Sequence, residues 1–370
     1  MMEKIKTLKV RLHKDTYCIH IGMNLLDNIT SFIPNVEKFS KVIIITDKIV
    51  FKNLKKQIKR IESSFAQQVL NFVVPEGEKT KSFYYLEKLI EKILKEKIDR
   101  NSLIICFGGG VIGDLSGLIS SLLLRGIEFV QVPTTLLAQV DSSVGGKTSI
   151  NSKFGKNLIG TFNQPISVII SIDTLNTLKM RQIKSGYAEI LKYSLIKNRM
   201  FYLWLKKNGG KVLSLEQEAI IHAINESCSV KSEIVSIDEK ESGIREILNF
   251  GHTFGHALEL KSGFSKKINH GEAIFIGMFL ALKFSFFLGF CEYELVQSYS
   301  DHLKSLGIKF KLKDYNISIK ADKFIELLKY DKKVKDSRIR FILLKELGKP
   351  FSYTLDNEKV ISDFFKEYLE

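Results

Sequence analysis

Five short apolar runs recur through the first half of the chain: VIIITD (42–47), VLNFVVP (69–75), SLIICF (102–107), EFVQVPTT (128–135) and SVIISID (167–173). Helical patterns at about 49–62, 79–97 and 113–124 separate most of them. Runs of this length, rich in branched residues and without polar alternation, suit strands buried on both faces. Strand alternating with helix then implies a parallel sheet covered by helices on both sides. In an open sheet of this kind the ligand crevice lies outside the carboxyl ends of the strands.

From about residue 181 the period changes. RQIKSGYAEILKYSLIKN, LEQEAIIHAINESCSVKSEIV, IREILNFGHTFGHALEL, the stretch 271–290 and DKFIELLKY all read as helices. A late strand pair, RIRFILLKELGKPFSYTL, precedes a last helix. The expected fold class is therefore α/β: a Rossmann-like parallel N-terminal domain (1–180) followed by a mainly α-helical C-terminal domain (181–370), with the boundary near Leu178–Lys184. At 370 residues the chain is long enough for both.

The apolar run IFIGMFLALKFSFFLGF (274–290) is short for a bilayer core of ~30 Å and contains Lys283, so a buried core helix is expected. The N-terminus lacks the apolar h-region and cleavage site of a signal peptide. The cysteines Cys18, Cys106, Cys228 and Cys291 are scattered, which excludes a disulfide framework or a Cys-based zinc site and implies a reducing, cytoplasmic setting. The formal charge of +15 comes from Lys and Arg spread over the whole chain, mostly on helix faces, with no basic tail or aromatic–basic platform. Neither nucleic acid nor membrane is an expected partner; a small anionic substrate is.

FGGGVIGD follows a strand and opens a helix, so Gly108, Gly110 and Gly113 fit G-x-G-x-x-G in the context that lets backbone approach a pyrophosphate at a helix N-terminus. The turn follows the third of the apolar runs rather than the first. An acidic residue on an earlier strand, Asp47, is placed to hold a ribose hydroxyl. The segment 139–165 is polar and glycine-containing with few helix or strand signals, and reads as a long functional loop whose Lys147, Lys153, Lys156 and Asn157, with Arg125 upstream, suit an anion. NFGHTFGHALE sets His252 and His256 on one helical face. Thr253 stands where a zinc protease has glutamate, so the pair alone leaves open a shared metal, two separate tasks or a structural role. Glu189 and Lys192 share another helical face, and His270 precedes the next helix. Two histidines with Glu189 would make a zinc site with an open position, though spacing cannot assemble it.

Taken together, GGGVIGDLSG, RGIEFVQVPTTLLAQVDSSVGGKTSIN, GKNLIGTFNQP, SGYAEILKY, NFGHTFGHALE and HGEA strongly resemble the 3-dehydroquinate synthase family of sugar phosphate cyclases, in order and over nearly the whole chain. The resemblance implies metal ligands Glu189, His252 and His270, holding zinc or cobalt, with His256 left for proton transfer. It implies an NAD site at Asp47, Glu76, Lys79, Gly109, Gly110, Val111, Asp114, Thr134, Thr135, Lys156 and Thr174. Substrate contacts would come from Arg125, Asp141, Lys147, Asn157, Lys231, Arg245, Asn249 and Lys332, the last chosen from a Lys doublet. Lys147, Lys192, Glu241 and His256 would be the catalytic side chains. Arg125 would reach a neighbouring subunit, giving a homodimer.

The implied activity is a phosphate-eliminating carbon–oxygen lyase acting on 3-deoxy-D-arabino-heptulosonate 7-phosphate in the shikimate pathway of aromatic amino acid biosynthesis. NAD would oxidise one hydroxyl transiently to acidify a neighbouring C–H, phosphate would leave by β-elimination, and re-reduction with an intramolecular aldol closure would give 3-dehydroquinate. The rivals are another sugar phosphate cyclase and a metal-dependent polyol dehydrogenase. A neutral polyol gives no reason for Arg125, Lys147, Lys231 and Arg245 together.

Overall fold

A computed structural model describes residues 5–12, 16–262, 267–329 and 338–368. These fall into two compact units, 1–183 with 215–240 and 184–214 with 241–370. The first is built on a seven-stranded sheet. Its strands are β1 (Lys6–Arg11), β2 (Thr16–Gly22), β3 (Lys41–Asp47), β4 (Gln68–Val74), β5 (Leu103–Gly108), β6 (Phe129–Pro133) and, after a separate hairpin of β7 (Lys147–Ser152) and β8 (Gly155–Phe162), β9 (Ser167–Ser171). The order across the sheet is β1-β2-β9-β6-β5-β3-β4, parallel throughout except for the β1–β2 pair.

The strand sequences explain the layers. Along β3, Val42 and Ile44 pack with Leu26, Ile29 and Ile58 on one face, while Ile43 and Ile45 pack with Leu89, Leu115 and Ile119 on the other. Both faces are dry, so no polar alternation survives. The covering helices are α1 (Lys48–Asn53) and α2 (Lys55–Ser64), broken at Leu54 where one helix had been expected, then α3 (Phe83–Lys95) and α4 (Gly110–Leu122). From β3 the chain crosses to β4 on one side and then returns to β5 on the other. The order therefore switches between β3 and β5, the place where open α/β sheets bind ligands.

The segment expected as a long loop departs from that reading. Residues 147–162 form the β7–β8 hairpin, and Thr148, Ser149 and Ile150 are buried. The burial falls on hydroxyl side chains, which hid the strand pattern: Thr148 bonds to Thr161, and Ser149 to Asn157.

Beyond β9 come α5 (Met180–Lys197), α6 (Arg199–Leu213) and α7 (Gln217–Ile237). Although α7 lies after residue 181, it packs against β1 and β2 and belongs to the first unit. The second unit continues with α8 (His252–Lys261), α9 (His270–Phe287), α10 (Tyr293–Ser305), α11 (Ala321–Lys329), the strand pair β10 (Arg340–Leu344) and β11 (Pro350–Thr354), and α12 (Glu358–Tyr368). Helix α9 is long and apolar enough to cross a membrane, but 72% of it is buried within the protein, as a core helix would be. Phe254 of α8 and Phe284 of α9 join Phe341, Phe364 and Phe365 in an aromatic core.

Candidate active site

In the first unit Asp47 and the glycine turn sit on the two strands that flank the switch. Ile45 of β3 stands opposite Cys106 of β5, so Asp47 and Gly108 end the two strands together. Asp47 is the N-cap of α1, its Oδ1 accepting from the amides of Ile49 and Val50 at 2.9 and 3.0 Å. Burial pushes its carboxyl above the usual range, against those two backbone bonds. Helix α4 opens at Gly110 with no side-chain cap, leaving its first N–H groups as an anion site. Beside it the Thr134 hydroxyl is buried with no hydrogen-bond partner among the described residues, while its amide donates to the Gly108 carbonyl at 2.9 Å. An uncapped helix start, an orphaned hydroxyl and a carboxylate across the switch fit a dinucleotide.

The other residues expected there are distributed unevenly. Asp114 is on α4, where Lys81 pairs with it and also donates to Asn157 Oδ1. Burial raises the Asp114 carboxyl and Lys81 pulls it back. Thr174 is fully buried and tied to Ser171 and Gln139, so its hydroxyl faces protein. Lys231 of α7 donates to both the backbone oxygen and Oδ1 of Asp141, at 2.6 and 2.7 Å, and Asp141 lies in a π-helical turn, 138–142. Glu76, Lys79 and Lys147 are exposed, as is Arg125, whose φ of 71° is left-handed. Lys332 lies outside the described residues. Lys81 was missed by sequence reasoning. Its only signal was a second lysine in EGEKTK, and surface lysines look the same.

In the second unit three helices converge. Helix α9 begins with a capping box: Asn269 accepts from the Glu272 amide, and Glu272 accepts from the Asn269 amide. This fixes His270 as the first helical residue. His252 opens α8 after Gly251, whose φ of 78° ends the preceding 3-10 turn (Ile244–Asn249); the single helix expected over this stretch is thus broken. Glycines permit the convergence. A Cβ on Gly277 would lie 2.0 Å from the Gly251 carbonyl, and one on Gly271 2.3 Å from the Ser185 Cα, so α8 and α5 approach α9 backbone to backbone.

Glu189, His252 and His270 meet there. Their ligand atoms all lie within 4.8 Å of one another. His252 Nε2 is 3.5 Å and His270 Nε2 3.3 Å from Glu189 Oε1. The other ring nitrogens face acceptors: His252 Nδ1 lies 3.2 Å from the Phe250 carbonyl, and His270 Nδ1 3.5 Å from Glu259 Oε2. Both rings thereby turn Nε2 inward, the arrangement a metal requires. Glu189 is fully buried and paired to the equally buried Lys192. Burial would lower His270, but its bonds to Glu189 and Glu259 raise it to about 10, so without metal a proton balances the carboxylates. A buried carboxylate with two inward imidazoles fits a divalent cation of the zinc type.

His256 is not one of the three residues whose ligand atoms converge, although its ring lies 5.4 Å from that of His252 and perpendicular to it, as near as the His270 ring at 5.5 Å. Asn249 donates to Glu241 at 3.1 Å, and Arg245 is buried in the same unit.

Comparison with known proteins bears on both units. The family model described as 3-dehydroquinate synthase N-terminal matches residues 71–185, and the one described as 3-dehydroquinate synthase C-terminal matches residues 186–334. A 3-dehydroquinate synthase of Dictyoglomus thermophilum is 44% identical over 346 residues, 93% of either chain. One from Rhodopseudomonas palustris is 41% identical over 368 residues, 98% of this chain and 96% of that one. Among solved structures, 2-deoxy-scyllo-inosose synthase complexed with carbaglucose-6-phosphate, NAD+ and Co2+ is similar with a TM-score of 0.88 at 26% identity, covering 98% of this chain and 100% of that one.

Proposed function

The chain belongs to the 3-dehydroquinate synthase family, and from that premise we propose that it converts 3-deoxy-D-arabino-heptulosonate 7-phosphate to 3-dehydroquinate and phosphate with NAD and a divalent metal. The observation that carries the reading is the inward-facing set of Glu189, His252 and His270 in a chain whose likeness to these synthases runs nearly end to end.

Glu189, His252 and His270 would hold zinc or cobalt, and Asp47, Asp114, Thr134, Thr135 and the turn Gly109–Gly110–Val111 would hold NAD, with Glu76, Lys79 and Lys156 as further candidates; Thr174, whose hydroxyl is spent on protein, would not. When bound, NAD supplies a hydride acceptor and donor for one carbon, and the metal draws negative charge from the oxygens beside it. The chain's own groups do the rest. Lys192 pairs with the buried Glu189 carboxylate and sets its charge against it. Lys147, Asn157 and Lys231 would face the substrate's anionic groups, with Asp141 setting the Lys231 ammonium by its two bonds. Arg245 and Asn249 would orient the substrate, Lys332 would join them, and His256 and Glu241 would exchange protons with it.

A homodimer goes with the exposed Arg125. Near it the Thr161–Ser121 bond brings the end of β8 to the end of α4, where Phe162 and Leu122 are 45% and 48% exposed. Mixing Arg125→Ala with His270→Ala protein should restore some activity if subunits share sites, and a fully active monomer would refute it. A cytoplasmic location goes with four unbridged thiols.

The central test is stoichiometric. Enzyme with the heptulosonate phosphate and catalytic NAD+ should release one phosphate per turnover with no net rise in NADH absorbance, and chelation should stop it. Stoichiometric NADH without phosphate would mean a polyol dehydrogenase. Turnover of glucose 6-phosphate instead would mean a different cyclase.

A further inference from the structure

We propose that Glu259 is a positioning residue of the metal centre, fixing the tautomer and raising the donor strength of His270; this rests on the reading of Glu189, His252 and His270 as metal ligands. Glu259 lies on α8 seven residues beyond His252, two turns along the same side of the helix. It is buried, at 9% exposure, and a carboxylate removed from water needs a charged or hydrogen-bonding partner. The His270 ring lies beside it, with Nδ1 3.5 Å from Glu259 Oε2, while Nε2 of the same ring points to Glu189.

A metal takes the nitrogen lone pair of a neutral imidazole, so the ring's one N–H must sit on the opposite nitrogen. Glu259 holds the proton there. The two histidines are held by unlike acceptors, a backbone carbonyl at His252 and a carboxylate at His270. The carboxylate draws more strongly on the N–H and makes His270 the stronger donor of the two. Helix α8 therefore carries one ligand at its first residue and, near its last turn, the group that aims the other. The close approach of α8 to α9, where a Cβ on Gly255 would lie 3.2 Å from the Ala273 carbonyl, holds that spacing.

The test is titration of metal-free, full-length protein with Co2+, following both affinity and the visible ligand-field spectrum. Glu259→Ala should weaken Co2+ binding about 10- to 100-fold and shift the spectrum. Glu259→Gln, whose amide oxygen still accepts from Nδ1 without the charge, should recover part of the affinity. Wild-type affinity and spectrum in Glu259→Ala, with His252→Ala and His270→Ala both impaired, would overturn the role of Glu259 alone. Wild-type Co2+ binding in His252→Ala and His270→Ala would instead overturn the ligand reading beneath it. If Glu259→Ala fails to fold, Glu259→Gln decides: weakened binding supports the proposal, and unchanged affinity and spectrum refute it.

Discussion

The glycine turn of the first unit and the Glu189–His252–His270 cluster of the second both depend on glycine, but against different neighbours. A Cβ on Gly113 would meet the side-chain amide of Gln131 at 2.8 Å, and one on Gly109 the Thr135 methyl at 3.1 Å. Side chains can turn away. A Cβ on Gly277 or Gly271 would meet backbone atoms at 2.0 and 2.3 Å, and backbone in packed helices cannot move without parting them. The first site is thus a local device, a strand end running into a helix start. The second exists only while three helices stay in contact.

That difference breaks most clearly at its glycines. Gly277→Ala should cost the second unit about 3 kcal/mol or more and lose metal, whereas Gly113→Ala should change stability by about 1 kcal/mol at most, since helix propensity gained offsets the shift of Gln131. Urea unfolding of both variants checks this, and equal losses would refute it. Next in size, His252→Ala should strip the metal, while His256→Ala keeps full metal content yet loses activity by about a hundredfold. Metal analysis beside rate assays separates the two, and metal loss from His256→Ala would put His256 among the ligands. Asp47→Asn sharpens the first unit: asparagine caps a helix as well as aspartate, so only the charge goes. NAD affinity should fall about tenfold with the melting temperature unchanged.

The smallest effect concerns pH. In the metal-free protein His270 titrates near 10, above its ordinary 6.5, so its contribution to stability is complete below about pH 6.5 and fades as pH rises through 10. Melting temperatures of the metal-free protein should decline across that interval, and metal uptake at neutral pH should release a proton, measurable by calorimetry in buffers of different ionisation enthalpy.

Five of the seven strands of the sheet were legible, the central ones most sharply because they are buried on both faces and say so in Val and Ile: β3, β5 and β9 fall within a residue or two of their apolar runs. The other two, β1 and β2, lie in the charged N-terminal stretch and were not expected. The β7–β8 hairpin was not, because Thr148 and Ser149 fill its buried side with hydroxyls. Nor was the allegiance of α7, since nothing in an amphipathic pattern states which unit a helix will cover. Within the metal cluster, residue types were readable and their assembly was not. Spacing left the two histidines undecided, the family resemblance separated them, and the ring orientations come from Phe250 and Glu259, which no motif spacing marks.

The capping box at the start of α9 has a consequence for which ion is accepted. HGE offers a second carboxylate one turn from the cluster, an oxygen that a calcium or magnesium site would recruit. Glu272 is committed instead to the Asn269 amide. Withholding it leaves two nitrogen donors and a single carboxylate, a set that suits borderline ions such as zinc and cobalt and serves hard, oxygen-seeking ions poorly. With Glu189, His252 and His270 as the ligands proposed above, a helix terminus that occupies one side chain would act as a filter on the metals of the cell.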